Sequence, residues 1–497
     1  MEKKETTYDR VIKYTGLFGG VQVLTMLMNI VRTKLTAVFL GPEGVGLISR
    51  LMNLVELVHH TTDFGLCFSG IKHVSEVFAT GNEEKIQHYI RVVRTWCLLL
   101  GLLGMMVMIV VSQFITWTNP QYILIMAPMT ATMIVTGGEM SILKGTKQLK
   151  KVATISIFSA LTMVLVCVPL YYFIGKTSIA IALLLSNIVV MFITLHFSSK
   201  TYPYQASLSS KGYLSAGMPM LLLGLGYVVA GFFGKGSEYI IREVIQRHGG
   251  LDAVGIYTCG YSIVVTYASY VFTAMEVDYF PRLSGICHDR LKMNDTVNQQ
   301  IEVYAMLIAP FLSVFVLFMP HIVHLLYSND FSAAIPMSVC AVMLMFFKAF
   351  FGPVEYLALA KGDSKTYMLV ELIYDVVVAL VVPYSYINFG LAGCGISLSV
   401  IGALNTLFVC TFYKYKYGFV FSHRLKWFYV TQFLLLALTI MVVMYDVTDV
   451  NVGFRWMKWT AGPVLVITSS AVSYRILKRE TTIIEKIKNK LCRKYQS

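Results

Sequence analysis

Apolar runs about as long as a bilayer is thick recur from one end of this chain to the other. A helix needs roughly 20 residues to cross the hydrocarbon. Reading the runs against Gly, Pro, Asn and charged breaks gives fourteen candidate spans, near 12–39, 43–71, 92–117, 120–143, 153–174, 177–198, 213–245, 251–279, 301–327, 332–360, 367–387, 390–413, 426–445 and 453–475. The breaks are short, such as Thr118-Asn119-Pro120 and Asn388-Phe389-Gly390, and no soluble domain is inserted. Composition agrees: 56% of the residues are hydrophobic, 14% are charged and the mean hydropathy is +0.66. Soluble domains carry about a quarter charged residues, so an ordinary soluble enzyme is excluded. The expected fold class is an all-α polytopic membrane protein.

The charge balance is basic, with 41 Lys and Arg against 27 Asp and Glu. In a soluble chain that excess would point to nucleic acid. Here it follows the breaks instead. Lys3, Lys4, Arg10 and Lys13 precede span one; Lys72, Lys85, Arg91 and Arg94 follow span two; Lys144, Lys147, Lys150 and Lys151 follow span four. Later even-numbered spans repeat the pattern, and the tail from Arg475 is the most basic segment. Because cytoplasmic loops collect Lys and Arg, both termini are expected in the cytoplasm, and no nucleic-acid partner is expected.

None of the nine cysteines belongs to a CxxC, and most sit inside apolar runs. They imply neither a disulfide framework nor a metal site. His321 and His324, three residues apart without a third ligand, do not make one either. The first apolar stretch is too long for a signal-peptide core and runs into a second span, so no cleavable leader is expected. The segment from Arg475 to Ser497 reads as a cationic amphipathic helix on the anionic inner leaflet.

The chain also repeats itself. Gly41-Pro42-Glu43-Gly44-Val45-Gly46-Leu47 lies between spans one and two, and Gly250-Leu251-Asp252-Ala253-Val254-Gly255-Ile256 lies between spans seven and eight. Glycine, acid, valine and glycine recur in register. Both turns stand at the same place in the span count, which implies parallel repeats about an axis along the membrane normal. The expected organisation is two pseudo-symmetric six-helix lobes, 1–205 and 206–418, around a central cavity, with an additional helix pair at 419–476 and a basic cytoplasmic tail at 477–497.

Polar residues inside the spans fall on helical stripes. Span one carries Gln22, Thr25, Asn29, Arg32 and Thr36; span two carries Ser49, Asn53, Glu56, His60 and Asp63 with Arg50 at their edge. Span seven carries Lys235, Glu238, Arg242 and Gln246, and span eight Thr258, Ser262, Thr266, Ser269, Thr273 and Glu276. A charge at mid-span costs on the order of 2.5–3.5 kcal/mol on insertion scales and so faces the bundle interior or water. Arg32 and Arg50 stand about eight residues either side of the turn, at similar depth by helical rise. The expected site is therefore a cationic cavity of Arg32, Arg50, Lys235, Arg242 and Lys348, lined also by Asn29, Asn53 and His60, and suited to an anionic substrate. Arginine in particular matches phosphate oxygens. The competing reading is intramembrane ion pairing of Arg50 with Glu56, Lys235 with Glu238 and Lys348 with Glu355. Buried carboxylates in transporters relay protons or bind a coupling cation, which makes Glu56, Asp63 and Glu139 the candidates for ion coupling. No catalytic residue, cofactor or metal is expected.

The turn Leu40-Gly41-Pro42-Glu43-Gly44-Val45-Gly46-Leu47, after a span ending in Arg32, Lys34, Leu35 and Ala37, resembles the start of the polysaccharide flippases, the Wzx-type O-antigen translocases. These belong to the superfamily of the MATE exporters and the bacterial lipid II flippase, whose two six-span lobes with an optional extra pair match the chain. The resemblance implies a non-enzymatic flippase in the bacterial inner membrane. Its cargo would be an undecaprenyl pyrophosphate-linked oligosaccharide for O-antigen, capsule or exopolysaccharide. Its partners would be that glycan, membrane lipids and other polysaccharide-assembly proteins. The alternative, a MATE-like drug/cation antiporter, calls for an acidic cavity and fits the basic stripes less well. A membrane glycosyltransferase calls for a sizeable extramembrane domain, and the outer loops are short.

Overall fold

The computed structural model describes residues 7–206, 211–448 and 455–480. The amphipathic tail beyond Glu480 lies outside the described residues, as do the side chains of Gln22, Thr273 and Glu276. Within the described residues the chain is helical throughout, with no strand. Nine helices among them are long and apolar enough to cross a membrane, and the protein is a multi-pass membrane protein.

Contacts divide the chain into two compact units, 1–258 with 325–330, and 259–324 with 331–497. The first holds α1 (Thr7–Thr62), α2 (Leu66–Ala79), α3 (Glu83–Val111), α4 (Pro120–Gly145), α5 (Leu149–Phe173), α6 (Ile179–Ser199) and nearly all of α7 (Lys211–Tyr261). A π-helical stretch at Ser262–Thr266 leads to α8 (Tyr267–Ile286), followed by α9 (Arg290–Leu317), α10 (Met319–Leu326), α11 (Ala334–Ala360), α12 (Ser364–Tyr417), α13 (His423–Thr448) and α14 (Arg455–Glu480).

The helix starts follow local chemistry. Asn82 accepts the Lys85 N–H at 3.1 Å to open α3, and Asn119 accepts the Gln121 N–H at 3.0 Å with Pro120 in the first turn of α4. Asp289 and Asp363 do the same for α9 and α12. Such side chains satisfy helix donors that have no partner within the helix.

Three pairs of spans that the sequence separates by a turn are joined into single long helices, α1, α7 and α12. Each is bent at one glycine of positive φ, Gly41 (66°), Gly250 (72°) and Gly390 (63°). That conformation is disfavoured for any residue with a β-carbon. Gly41 and Gly250 are the first residues of the two repeated heptads, and they also share an extended ψ of −173° and −176°. Span two, expected to run on to residue 71, is instead interrupted after Thr62. Phe64 and Gly65 take positive φ there, and the Asp63 carboxylate accepts the Gly65 N–H at 2.8 Å.

Helix α3 shows how the faces are used. Val93, Cys97, Leu100, Gly104 and Met108 are buried, at steps of three and four, while Leu102, Met106, Ile109 and Val110 face outward. An apolar outer face is what lipid requires. The inner face carries small residues: a β-carbon on Gly101 would press on Ala131 of α4, and one on Gly104 on Thr62 and Thr130. Small residues let membrane helices approach closely. Between α13 and α14 the connection is polar, with Gln432 accepting from the Ser469 hydroxyl at 2.6 Å and donating to Ser473 Oγ at 3.1 Å. Bonds of this kind contribute about 0.6 kcal/mol each on average within membranes.

Candidate functional site

In the first unit the two repeated turns meet. A β-carbon on Gly46 would collide with the Leu251 carbonyl, and one on Gly255 with the Pro42 carbonyl. Residue 42 corresponds to 251 and residue 46 to 255 in the repeat, so the contact is reciprocal. Ser49 and Thr258, again corresponding positions, share a hydrogen bond of 2.9 Å. The helices below this crossing are held within side-chain reach of each other.

They are joined by a network of ion pairs. Lys235 lies 2.9 Å from Glu56 and 3.6 Å from Glu238. Glu238 also receives Arg242 at 3.3 Å and the Asn53 amide at 3.2 Å, while Arg242 Nε donates to Ser49 Oγ at 2.9 Å. Arg50 pairs with Glu243, which Arg247 reaches at 2.7 Å. Four cations thus face three carboxylates.

Arg50 is the most confined of them, 1% exposed. Its guanidinium lies 4.2 Å from the Trp117 ring centroid and 4.9 Å from that of Tyr239. Its Nε and Nη1 are buried without a hydrogen-bond partner, as are Asn53 Oδ1, Trp117 Nε1 and Gln246 Oε1. The Gln246 amide donates to the Trp117 carbonyl at 3.3 Å, which ties the turn before α4 to α7. Buried polar groups are normally paired, because leaving one unpaired costs about 1–3 kcal/mol.

Not every residue of the polar stripes joins this network. Arg32 is half-buried within electrostatic reach of Cys167 and Tyr171 on α5, and no hydrogen bond or ion pair joins it to Arg50 among the described residues. Asn29 is half-buried on the same span, and His60 lies against α7 at Gly231. Lys34 donates to the Tyr327 carbonyl. Lys348 belongs to the second unit, 5.8 Å from the Phe272 ring and within electrostatic reach of Glu355 and Glu371. Glu355 is hydrogen-bonded there by Asn405 at 3.2 Å.

The three coupling candidates differ from one another. Glu56 pairs with Lys235. Glu139 takes a bidentate pair from Arg94 at 2.7 and 3.0 Å, and the Ser198 hydroxyl at 2.5 Å. Asp63 is 2% exposed and makes no ion pair among the described residues. Of the pairs expected from spacing, Lys235 with Glu238 is present, but Arg50 takes Glu243 in place of Glu56. Spacing along one helix did not reveal Glu243, Trp117 or Tyr239, because they approach from other segments. A second-unit cavity of about 400 Å³ lies among α11, α12 and α13, lined by Phe347, Phe350, Leu407, Tyr429 and Phe433, with Lys426 also on its wall.

The long bent helices, the lipid-type outer faces and the interior ion-pair network define a polytopic helical membrane protein with a polar interior site. Its fold is shared with solved transporters. The lipid II flippase MurJ, in an inward closed conformation, matches with a TM-score of 0.66 at 14% identity, over 94% of this chain and 99% of that one. An inward-facing multidrug resistance MATE family transporter of the MOP superfamily matches at 0.63 and 13% identity, over 80% and 97%. The outward-facing form of such a transporter matches at 0.59 and 13%, over 82% and 96%. No curated protein sequence matches. The model of the polysaccharide biosynthesis protein family matches residues 35–336, and the chain belongs to that family. The resemblance carried by residues 40–47 is therefore met by both family and fold.

Proposed function

We propose that the protein is a flippase that carries a polyprenyl pyrophosphate-linked oligosaccharide across the bacterial inner membrane by alternating access, with both termini in the cytoplasm. Family membership and the shared fold support the class. The observation that carries the substrate is Arg50, a buried guanidinium with two nitrogens left unpaired beside aromatic rings and a surplus of cations. Away from bulk water those donors attract phosphate oxygens more strongly than exposed ones would. Lys235 and Arg242 complete the cationic wall, and Trp117 and Tyr239 offer faces for sugar rings.

Glu56, which with Glu238 holds Lys235, is the ion-coupling candidate within this network. Arg32 and Lys348, which face other partners, act outside this primary site.

The test is complementation of a flippase-null strain, with surface glycan measured beside the amount of protein in the membrane. Arg50→Ala should reach normal levels and fail to restore glycan, and Arg50→Lys should restore part. Full restoration by Arg50→Ala would remove the pyrophosphate reading.

A further inference from the structure

The interruption of span two assembles a second constellation. His59 and His60 close the last turn of α1, Asp63 follows, and α2 begins at Leu66 after the positive-φ pair Phe64 and Gly65. A left-handed non-glycine residue costs about 1–3 kcal/mol and persists only where its surroundings enforce it. Here Asp63 holds the Gly65 N–H, and Gly65 lies so close to Gly224 of α7 that a β-carbon on either would strike the other segment's backbone. The bend is thus fixed from two sides.

Its effect is to bring three unlike donors together. A nitrogen of His59, a carboxylate oxygen of Asp63 and the sulfur of Cys67 all lie within 4.8 Å of one another. Gly137 of α4 makes the room, since a β-carbon there would collide with Cys67 Sγ. His59 Nδ1 is buried without a partner, the Cys67 thiol donates to the Asp63 carboxylate, and that carboxylate makes no ion pair among the described residues, with His60 within electrostatic reach. An unpaired imidazole nitrogen, a carboxylate and a thiol thus share one wall, the three donor types of a metal site.

We propose that His59, Asp63 and Cys67 bind a divalent cation of the zinc class. Mixed nitrogen, oxygen and sulfur donors suit a borderline-soft ion, whereas calcium and magnesium take oxygen donors. Bonds of about 2.0–2.3 Å in a tetrahedral site place donors roughly 3.3–3.8 Å apart, a side-chain adjustment away from the separations here. Three protein ligands leave the fourth position to water. Binding transfers the Cys67 thiol proton to solvent, so uptake weakens as pH falls. His59 stands before the bend and Cys67 after it, so the ion would pin span two to α2 at a fixed angle. The site does not depend on what the transporter carries.

The experiment uses the full chain in lipid nanodiscs, stripped of metal and titrated with Co²⁺ as the probe, then with Zn²⁺. One cobalt per chain should bind and give the intense thiolate-to-metal charge-transfer absorption, which zinc then abolishes by displacement. Cys67→Ser should lose that absorption, and Asp63→Asn should bind at least about tenfold more weakly. A measurement on the unaltered protein guards against variants that fail to fold: zinc should protect Cys67 from maleimide, read by peptide mass spectrometry. Absence of the absorption in the unaltered protein, unchanged binding by the Cys67→Ser variant, or equal labelling of Cys67 with and without zinc each overturns the proposal.

Discussion

Arg94 and Arg50 are both nearly sealed arginines of the first unit, and they are treated in opposite ways. Arg94 gives two bonds to Glu139 and others to the Tyr202 and Pro203 carbonyls, at 3.1 and 2.8 Å. The Ser198 hydroxyl donates to the same carboxylate, at the oxygen that Arg94 Nη2 also reaches. Arg50 has one carboxylate, shared with Arg247, and two ring faces, with Nε and Nη1 unspent. A saturated buried pair is a clasp: every group is matched, and its removal leaves a bare charge. An unsaturated one retains capacity to bind something else. On the proposed reading, that difference sets a structural arginine apart from one that meets cargo.

The largest effect should come from the clasp. Arg94→Ala strands Glu139, and breaking a buried pair from one side costs about 3–5 kcal/mol. Little monodisperse protein should be recovered on size-exclusion chromatography, and replacing both residues with leucine should return part of it. Normal yield with lost glycan would instead move Arg94 into the transport machinery.

At the second arginine the order reverses. Arg50→Ala removes a charge-assisted contact of about 1.5–3 kcal/mol, roughly a ten- to hundredfold loss of flipping. Thermal stability should change little, because Arg247 still neutralises Glu243. A drop in melting temperature as large as that of Arg94→Ala would erase the distinction.

Gly46→Ala and Gly255→Ala probe the crossing that holds the second network. Each introduces a β-carbon into opposing backbone, and overpacking of this kind costs about 1–3 kcal/mol. Both variants should melt earlier by similar amounts, measured by differential scanning fluorimetry. Unequal losses would show that the contact is not reciprocal.

The smallest effect belongs to an ion pair with water beside it. Asp363 caps α12 and receives Lys416 at 2.7 Å, Tyr417 at 2.8 Å and the Thr366 hydroxyl at 2.9 Å. The Lys416 ammonium first, then those hydroxyls, hold its carboxyl below the usual carboxylate range. Its stabilisation is therefore present above the unfolded value, about 3.9, and is lost only as pH falls below it toward the depressed one. Asp363→Asn should melt slightly earlier at pH 5–8 by a constant margin, which shrinks only under about pH 4. A margin that varied between pH 6 and 8 would assign the effect to another group.

Much of the fold was open to reading from the chain itself. Apolar runs set the spans, and the repeated heptads put Gly41 and Gly250 at equivalent turns, where the backbone takes a positive φ. Charges were harder. Counting Arg94 with the loop residues was reasonable by sequence distance, yet it lies buried against Glu139, 45 residues away. Helical spacing put Arg50, Lys235 and Arg242 on inward stripes, but it compares residues only with their own helix. It therefore offered Glu56 for Arg50 and passed over Glu243. The His59, Asp63 and Cys67 constellation was hidden for a different reason: the apolar run reads as one continuous helix where Phe64 and Gly65 turn the chain.

The reciprocal crossing also governs how these two turns can change over generations. When identical subunits meet on a two-fold, one codon writes both sides of the contact, and every substitution arrives doubled. Here the two sides have separate codons in one gene, so each can drift alone while its opposite stays fixed. Gly46 and Gly255 have no room to do so. Three residues along, where a hydroxyl is all the contact asks for, one turn carries Ser49 and the other Thr258, joined by a hydrogen bond.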